Sequence, residues 1–332
     1  MIYSVNKGCD AMLKWLKIIG LILLSLMIVF IIVVYRRDLS VERVKSMYLT
    51  NDSNLVNLEI LSLVGDTLEI DIHYMDMGDS ALPAILLLHG AFSSSHTFIP
   101  WAESLVQEGY RVLLMDLPYF GLSDGFEDNI TSYRRSAAVV KALLDHLSID
   151  NIHIGGNSLG GAVSWYFASE YPALTNSLIL IDAVPPNMST RNTNGWINQP
   201  WVASFVSQLT PRFLLKQILR TAYGDVSKLD DETVDRYYDI LRKKGTRQSI
   251  LTTQYEDEHT DQVDRLMGIT APTYLMWGKK DTWIPVLSYD VFILALDIDS
   301  ENRVLLDDIG HLPMEENPVT VSYYIDFLNR ID

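Results

Sequence analysis

The sequence predicts an α/β fold, a mostly parallel sheet of eight strands covered by helices on both faces and interrupted by a helical insertion. Two observations carry that prediction. Six short apolar runs recur with helix-like segments between them, and such continuous apolar runs mark strands buried on both faces of a parallel sheet. The alternation then breaks between Pro185 and about Ile269, where the chain becomes polar and helical before the last strands resume.

Taken in order, the chain opens with a basic tail and an apolar stretch. From Ile18 to Val34 every residue is apolar apart from Gly20 and Ser25, with Trp15 and Tyr35 at the ends and Lys14, Lys17, Arg36 and Arg37 flanking. Residues 15–35 cover roughly 30 Å as a helix, the thickness of a bilayer core. A cleaved signal peptide would have a shorter apolar region followed by small residues, whereas Val34-Tyr35-Arg36-Arg37 follows here, so the segment reads as an uncleaved single-pass membrane anchor. Basic residues on both sides leave orientation to the usual behaviour of a short N-terminal tail, which places the remaining chain outside the cytoplasm. Residues 1–37 are therefore assigned as tail and anchor, and 38–56 as a polar connector.

A hairpin is expected next. Leu58–Val64 and Leu68–Tyr74 flank the turn pair Gly65-Asp66. The six runs follow: Ala84–Leu88, Arg111–Met115, Ile152–Ile154, Ser177–Ile181, Pro272–Trp277 and Arg303–Leu306. These give a core over 57–184 and 270–332, with 185–269 as a helical cap. Within the cap, Asp231–Leu241 has acidic residues in its first turn and apolar ones at helical spacing. Trp196, Trp201 and Phe205 are its candidate substrate-pocket aromatics.

Composition excludes several classes. The 332 residues carry 42 acidic and 26 basic side chains, a net charge of −16, and the chain beyond residue 37 is near −20. That balance argues against nucleic-acid binding, which needs clustered Lys and Arg. Cys9 is the single cysteine, so neither an intrachain disulfide nor a cysteine metal cluster is available. No metal and no cofactor is expected.

The chemistry centres on Gly156-Asn157-Ser158-Leu159-Gly160, where a strand gives way to a helix. A turn this tight leaves no room for Cβ atoms at Gly156 and Gly160 and presents the Ser158 hydroxyl at a helix N-terminus. A serine hydroxyl needs a neutral imidazole as base and a carboxylate to orient it. Of seven histidines, His311 is the candidate base, because it follows the last strand in Gly310-His311-Leu312-Pro313. Asp281, just past a strand end in the segment from Trp277 to Pro285, is the candidate acid; Asp182 also ends a strand and competes for that role, and is otherwise a structural carboxylate. His89 and Asp116 read as loop-bracing residues. A tetrahedral intermediate would take backbone N–H donors from Leu159 and from Ala91, with Phe92 as second choice, on a loop that Gly90 lets approach closely.

These pieces together resemble the α/β-hydrolase superfamily: Leu88-His89-Gly90, Asp116-Leu117-Pro118 with Gly121-x-Ser123-Asp124, the Ser158 turn, Gly278–Asp281 and Gly310–Pro313, over roughly residues 57–330. Their order, serine then acid then histidine, is that superfamily's order. The resemblance implies an α/β-hydrolase fold and a Ser158–Asp281–His311 triad. Serine at the nucleophile position sets the chain apart from dehalogenase and epoxide-hydrolase relatives, which use aspartate there. The turn also looks like that of carbon–carbon bond hydrolases acting on ring-fission products, but Leu312-Pro313 stands where those relatives carry a tryptophan after the histidine. The anchor and the aromatic cap make a lipophilic carboxylic ester, such as a monoacylglycerol, the expected substrate. Carbon–carbon hydrolysis and an inactive anchored scaffold on the same fold are the alternatives.

Overall fold

The computed structural model describes residues 2–61, 65–188, 199–255 and 261–331. Strands β1 (Ser53–Leu61), β2 (Thr67–Met77), β3 (Ala84–Leu88), β4 (Arg111–Met115), β5 (Ile130–Thr131), β6 (Ile152–Asn157), β7 (Thr175–Ile181), β8 (Gln254–Tyr255), β9 (Thr273–Gly278) and β10 (Arg303–Leu306) follow one another along the chain. Eight of them form one sheet in the order β1-β2-β4-β3-β6-β7-β9-β10. The sheet is mixed: β1 pairs antiparallel with β2, and β2 antiparallel with β4, while the remaining pairs are parallel. The two-residue pair β5–β8 is separate and joins the core to the end of the insertion.

Among the described residues thirteen α-helices accompany these strands. They are α1 (Ile2–Val34), α2 (Val41–Tyr48), α3 (Ile99–Gln107), α4 (Tyr133–His146), α5 (Leu159–Glu170), α6 (Pro200–Ser207), α7 (Arg212–Ala222), α8 (Asp231–Leu241), α9 (Thr246–Thr252), α10 (Gln262–Met267), α11 (Leu287–Leu296), α12 (Pro313–Glu316) and α13 (Val321–Ile331). The period of the strands sorts the core into two layers. In β3, Leu86 and Leu88 pack with α4, α5 and α11 on one face, whereas Ile85 and Leu87 pack with α3 and α13 on the other. All five β3 side chains are buried, as a central parallel strand requires. Helices start where side chains satisfy free N–H groups: Ser132 accepts from Arg135 N at 3.0 Å to cap α4, and Asp230 accepts from Thr233 N at 2.7 Å to cap α8.

The segment 38–56 differs from the polar connector expected of it. It contains α2, capped by Ser40 through Arg43 N, and β1 begins at Ser53, inside the expected connector. Val44 of α2 is fully buried against Leu122 of the core and Ile240 of the cap, so α2 is a wedge between them. The residues just before it are fixed as well. Arg36 N donates to Gln208 O at 2.7 Å, Leu39 N to Arg242 O at 2.8 Å, and Lys244 N to Leu39 O at 2.9 Å. Among the described residues, α1 is the one helix long and apolar enough to cross a membrane, over Lys14–Val34. Its described side chains are exposed almost throughout and become buried at Val34.

Candidate active site

The turn between β6 and α5 is built as its glycines require. Ser158 has φ 54° and ψ −118°, a left-handed value that a side-chain-bearing residue adopts only when its surroundings hold it there. A Cβ at Gly160 would lie 2.1 Å from Leu88 O, and one at Gly156 would lie 2.5 Å from the same oxygen. The turn therefore closes against the end of β3. Ser158 precedes α5 without using its side chain as a cap, which leaves the hydroxyl for chemistry.

The structure brings His311 and Asp281 together. Asp281 Oδ2 lies 2.7 Å from His311 Nδ1, both side chains buried. The other carboxylate oxygen, Oδ1, accepts from Trp283 N at 2.7 Å and Ile284 N at 3.1 Å, which fixes the carboxylate in its own turn. A carboxylate at Nδ1 favours the tautomer that carries its proton there, so Nε2 is left as the acceptor. The histidine loop is held from several sides: His311 N donates to Ala222 O at 2.6 Å, and Asn157 Nδ2 donates to His311 O at 2.9 Å. Glu316 accepts from Gly310 N at 2.9 Å and, across the cap boundary, from Gly224 N at 2.9 Å and Asp225 N at 2.6 Å. The Trp283 ring stands 5.1 Å from the imidazole.

Asp182 is a neighbour of this pair. It is fully buried, accepts from Gly278 N at 2.8 Å, and its carboxyl is pushed well above the usual range by burial and by the charge of Asp281. Asp182, Asp281 and His311 each offer a ligand atom within 4.8 Å of the others, the one such group of three among the described residues. Asp281 is already bonded to His311, and burial beside the charge of Asp281 raises the Asp182 carboxyl, which disfavours a cation there. A cation would have to break the pair to bind.

His89 and Asp116 brace loops, as their positions suggest. His89 is buried, donates from Nδ1 to Gly90 O at 2.7 Å, and accepts from Leu117 N at Nε2; burial holds its pKa below the ordinary value. Asp116 accepts from Ser95 N at 2.6 Å and Leu122 N at 2.7 Å and pairs with His73 at 2.7 Å. Burial alone would raise the pKa of its carboxyl, but His73 and His89 outweigh that and hold it below the usual range.

Two chambers meet at the turn, each of about 310 Å³. The first is bordered by Gly90, Asn157, Trp283 and His311 and by the cap residues Val206, Leu209, Leu215, Ile218 and Leu219. The second is bordered by Ser158, Leu159, Ser132, Tyr133, Val184 and Ile284. Ala91, Phe92 and Ile250 border both, which puts the loop expected to supply an oxyanion donor between them. The pocket aromatics are corrected. Trp201 is 76% exposed and Phe205 48%, and neither borders a chamber, because the short helix α6 turns Val206 and Ser207 inward instead. Trp196 lies outside the described residues. The sequence reading missed Arg247, which borders the first chamber and lies near no motif, and Glu316, three residues past the Gly310–Pro313 motif. Trp283 and Asn157 stand inside quoted motifs and were legible by position.

The pattern of the alpha/beta hydrolase fold family matches residues 83–318. The chain belongs to that family, and hydrolase activity follows from the class. A 2-hydroxy-6-oxononadienedioate/2-hydroxy-6-oxononatrienedioate hydrolase of Cupriavidus pinatubonensis is 30% identical over 286 residues, covering 80% of this chain and 93% of the relative. Among solved structures, a thermophilic esterase from Thermogutta terrifontis superposes with a TM-score of 0.68 at 23% identity, over 84% of this chain and 99% of the esterase. A membrane phospholipase A superposes with a TM-score of 0.66 at 22% identity, over 96% of this chain and 98% of the phospholipase.

Proposed function

We propose that the protein is a membrane-anchored serine hydrolase that cleaves an uncharged, lipophilic carboxylic ester of monoacylglycerol type. Ser158 attacks the ester carbonyl while His311 takes its proton. The oxyanion is held by the N–H of Leu159 and by that of Ala91 or Phe92, and His311 returns the proton to the leaving alcohol. Asp281 keeps the imidazole oriented and stabilises its charged form. Water activated by His311 then releases the acid from Ser158.

The observation that carries the ester reading is the charge of the chambers. Among the described residues Arg247 is the one Lys or Arg bordering the first, and its guanidinium is committed to Asp38 at 3.0 Å, to Arg36 O at 2.7 Å and to Thr210 Oγ1 at 2.6 Å. Among the described residues none borders the second. A substrate with two carboxylates would be desolvated there without a cationic partner, which is costly, whereas an acyl chain would not.

Carbon–carbon bond hydrolysis is the second reading, and the names of the relatives favour it: proteins 30% and 29% identical to this chain are hydrolases of a hydroxy-oxo-dienedioate. The same serine, histidine and oxyanion donors would serve either bond. A panel of p-nitrophenyl acyl esters, monoacylglycerols and a ring-fission dienedioate separates them. Ester turnover at least tenfold above dienedioate turnover supports our reading, and the reverse order overturns it. Ser158→Ala abolishes turnover in either case, by about 10⁴-fold or more, together with fluorophosphonate labelling. A folded native chain that does not label points instead to a binding protein.

A further inference from the structure

The segment from Trp201 to Ile218 has two apolar sides. Its inner side borders the first chamber through Val206, Leu209, Leu215 and Ile218. Its outer side exposes Trp201 and Phe205, one turn apart on α6, and Phe213 and Leu214 at the start of α7, with Phe213 61% exposed. Ile218 belongs to both, bordering the chamber while 47% exposed, so the chamber reaches the surface at this residue. Exposed apolar side chains concentrated on one short stretch of chain mark an interaction surface.

What covers it is indicated by the chain's own N-terminal helix. The loop between α6 and α7 is bonded to the residues that leave α1: Gln208 O accepts from Arg36 N at 2.7 Å, two residues after the last residue of α1, Val34. Arg247 clamps the same junction. It is 3% exposed and reaches Asp38, Arg36 O, Gln208 Oε1 at 3.1 Å and Thr210 Oγ1. A helix crossing a bilayer over Lys14–Val34 ends at the headgroup layer near Tyr35 and Arg36, and the α6–α7 loop is then at that depth. Trp201, Phe205 and Phe213 flank the loop within about two helical turns of chain, and aromatic rings are favoured at the interface between lipid and water.

We propose that the outer face of α6 and α7 docks into the interfacial layer of the bilayer that α1 crosses, so that the first chamber opens onto lipid and receives its acyl chain from the membrane. This deepens the anchored-ester reading and rests on it for the nature of the ligand, though not for the docking itself. The beyond-anchor charge of near −20 points to a zwitterionic rather than an anionic surface.

The test places a single cysteine, in full-length chain carrying Cys9→Ser, at Phe205→Cys, Phe213→Cys or, as a control at the opposite end of the strands, Ser80→Cys. Each is labelled with a nitrobenzoxadiazole fluorophore and reconstituted in phosphatidylcholine vesicles with and without doxyl-labelled lipid. Quenching by the lipid at positions 205 and 213 at least threefold above that at position 80 is expected. Equal quenching overturns the proposal. So does self-quenching that rises with protein-to-lipid ratio in place of lipid quenching, which assigns the face to a second copy of the chain. Fluorophosphonate labelling of the same samples reports on Ser158 independently, so failure of the hydrolase reading and failure of docking are told apart. For delivery of the ligand, Trp201→Gln combined with Phe213→Gln slows hydrolysis of vesicle-borne monooleoylglycerol at least tenfold more than that of p-nitrophenyl butyrate; equal slowing overturns delivery from the bilayer.

Discussion

At the scale of single residues, two buried carboxyls lie beside one histidine and their environments separate them. Asp281 takes two backbone N–H groups and the imidazole, while Asp182 takes one N–H and faces the charge of Asp281. Asp281→Asn therefore removes the group that orients His311, and kcat falls by about 10⁴-fold with the fold intact, measured on the best ester of the panel. Asp182→Asn behaves differently, since an amide replaces a carboxyl that favours its proton. The folded chain keeps the Asp182 proton at pH values where the unfolded chain, titrating near 3.8, has lost it. Stability from this group therefore falls as pH rises from the unfolded value towards the raised folded one. The variant has no proton to lose, so its gain in Tm over the native chain grows as pH rises from the unfolded value of about 3.8 towards the raised folded one. A gain that stays constant over that range would show that Asp182 is ionised in the folded protein. The spacing of strand ends presented both aspartates as candidates, but the upward shift of the Asp182 carboxyl comes from its burial and from Asp281, far away in the chain, and was not legible.

At the scale of elements, the Ser158 turn is readable because its constraint is local. Its glycines are required by Leu88 O, which approaches where a Cβ would stand. Gly160→Ala forces α5 away from β3 and costs about 1–3 kcal/mol, read from urea unfolding, with a larger proportional loss of activity because Ser158 and Leu159 move with the helix. The helix α8 was equally legible from its acidic first turn and apolar spacing. The helix α2 was not. Half of its eight residues are polar, and one buried side chain, Val44, holds it between Leu122 and Ile240. The pocket aromatics failed for the opposite reason. Trp201 and Phe205 sit one turn apart like a packed face, and no local property tells an inward apolar face from an outward one on an eight-residue helix.

At the scale of the whole molecule, the end of α1, the segment after it, the cap and the histidine loop are stitched together. Arg247 ties residues 36–38 to the α6–α7 loop, and Glu316 ties Gly310 to Gly224 and Asp225. A chain lacking residues 1–34 is expected to leave the membrane fraction on flotation while retaining the 36–38 clamp and its turnover of water-soluble esters; flotation with vesicles at native levels would argue against α1 as the anchor. The sequence by itself determined the α/β class, the turn at Ser158, the histidine and the acids competing to serve it, and an apolar helix long enough to span a bilayer, because each depends on spacing within a few residues. Only the tertiary structure decided which carboxyl meets His311, which cap residues border the chambers, that Arg247 is neutralised by Asp38, and that the cap lies against the end of α1. Those are relations between segments far apart in the chain, and the packing that sets them leaves no periodic trace in any one of them.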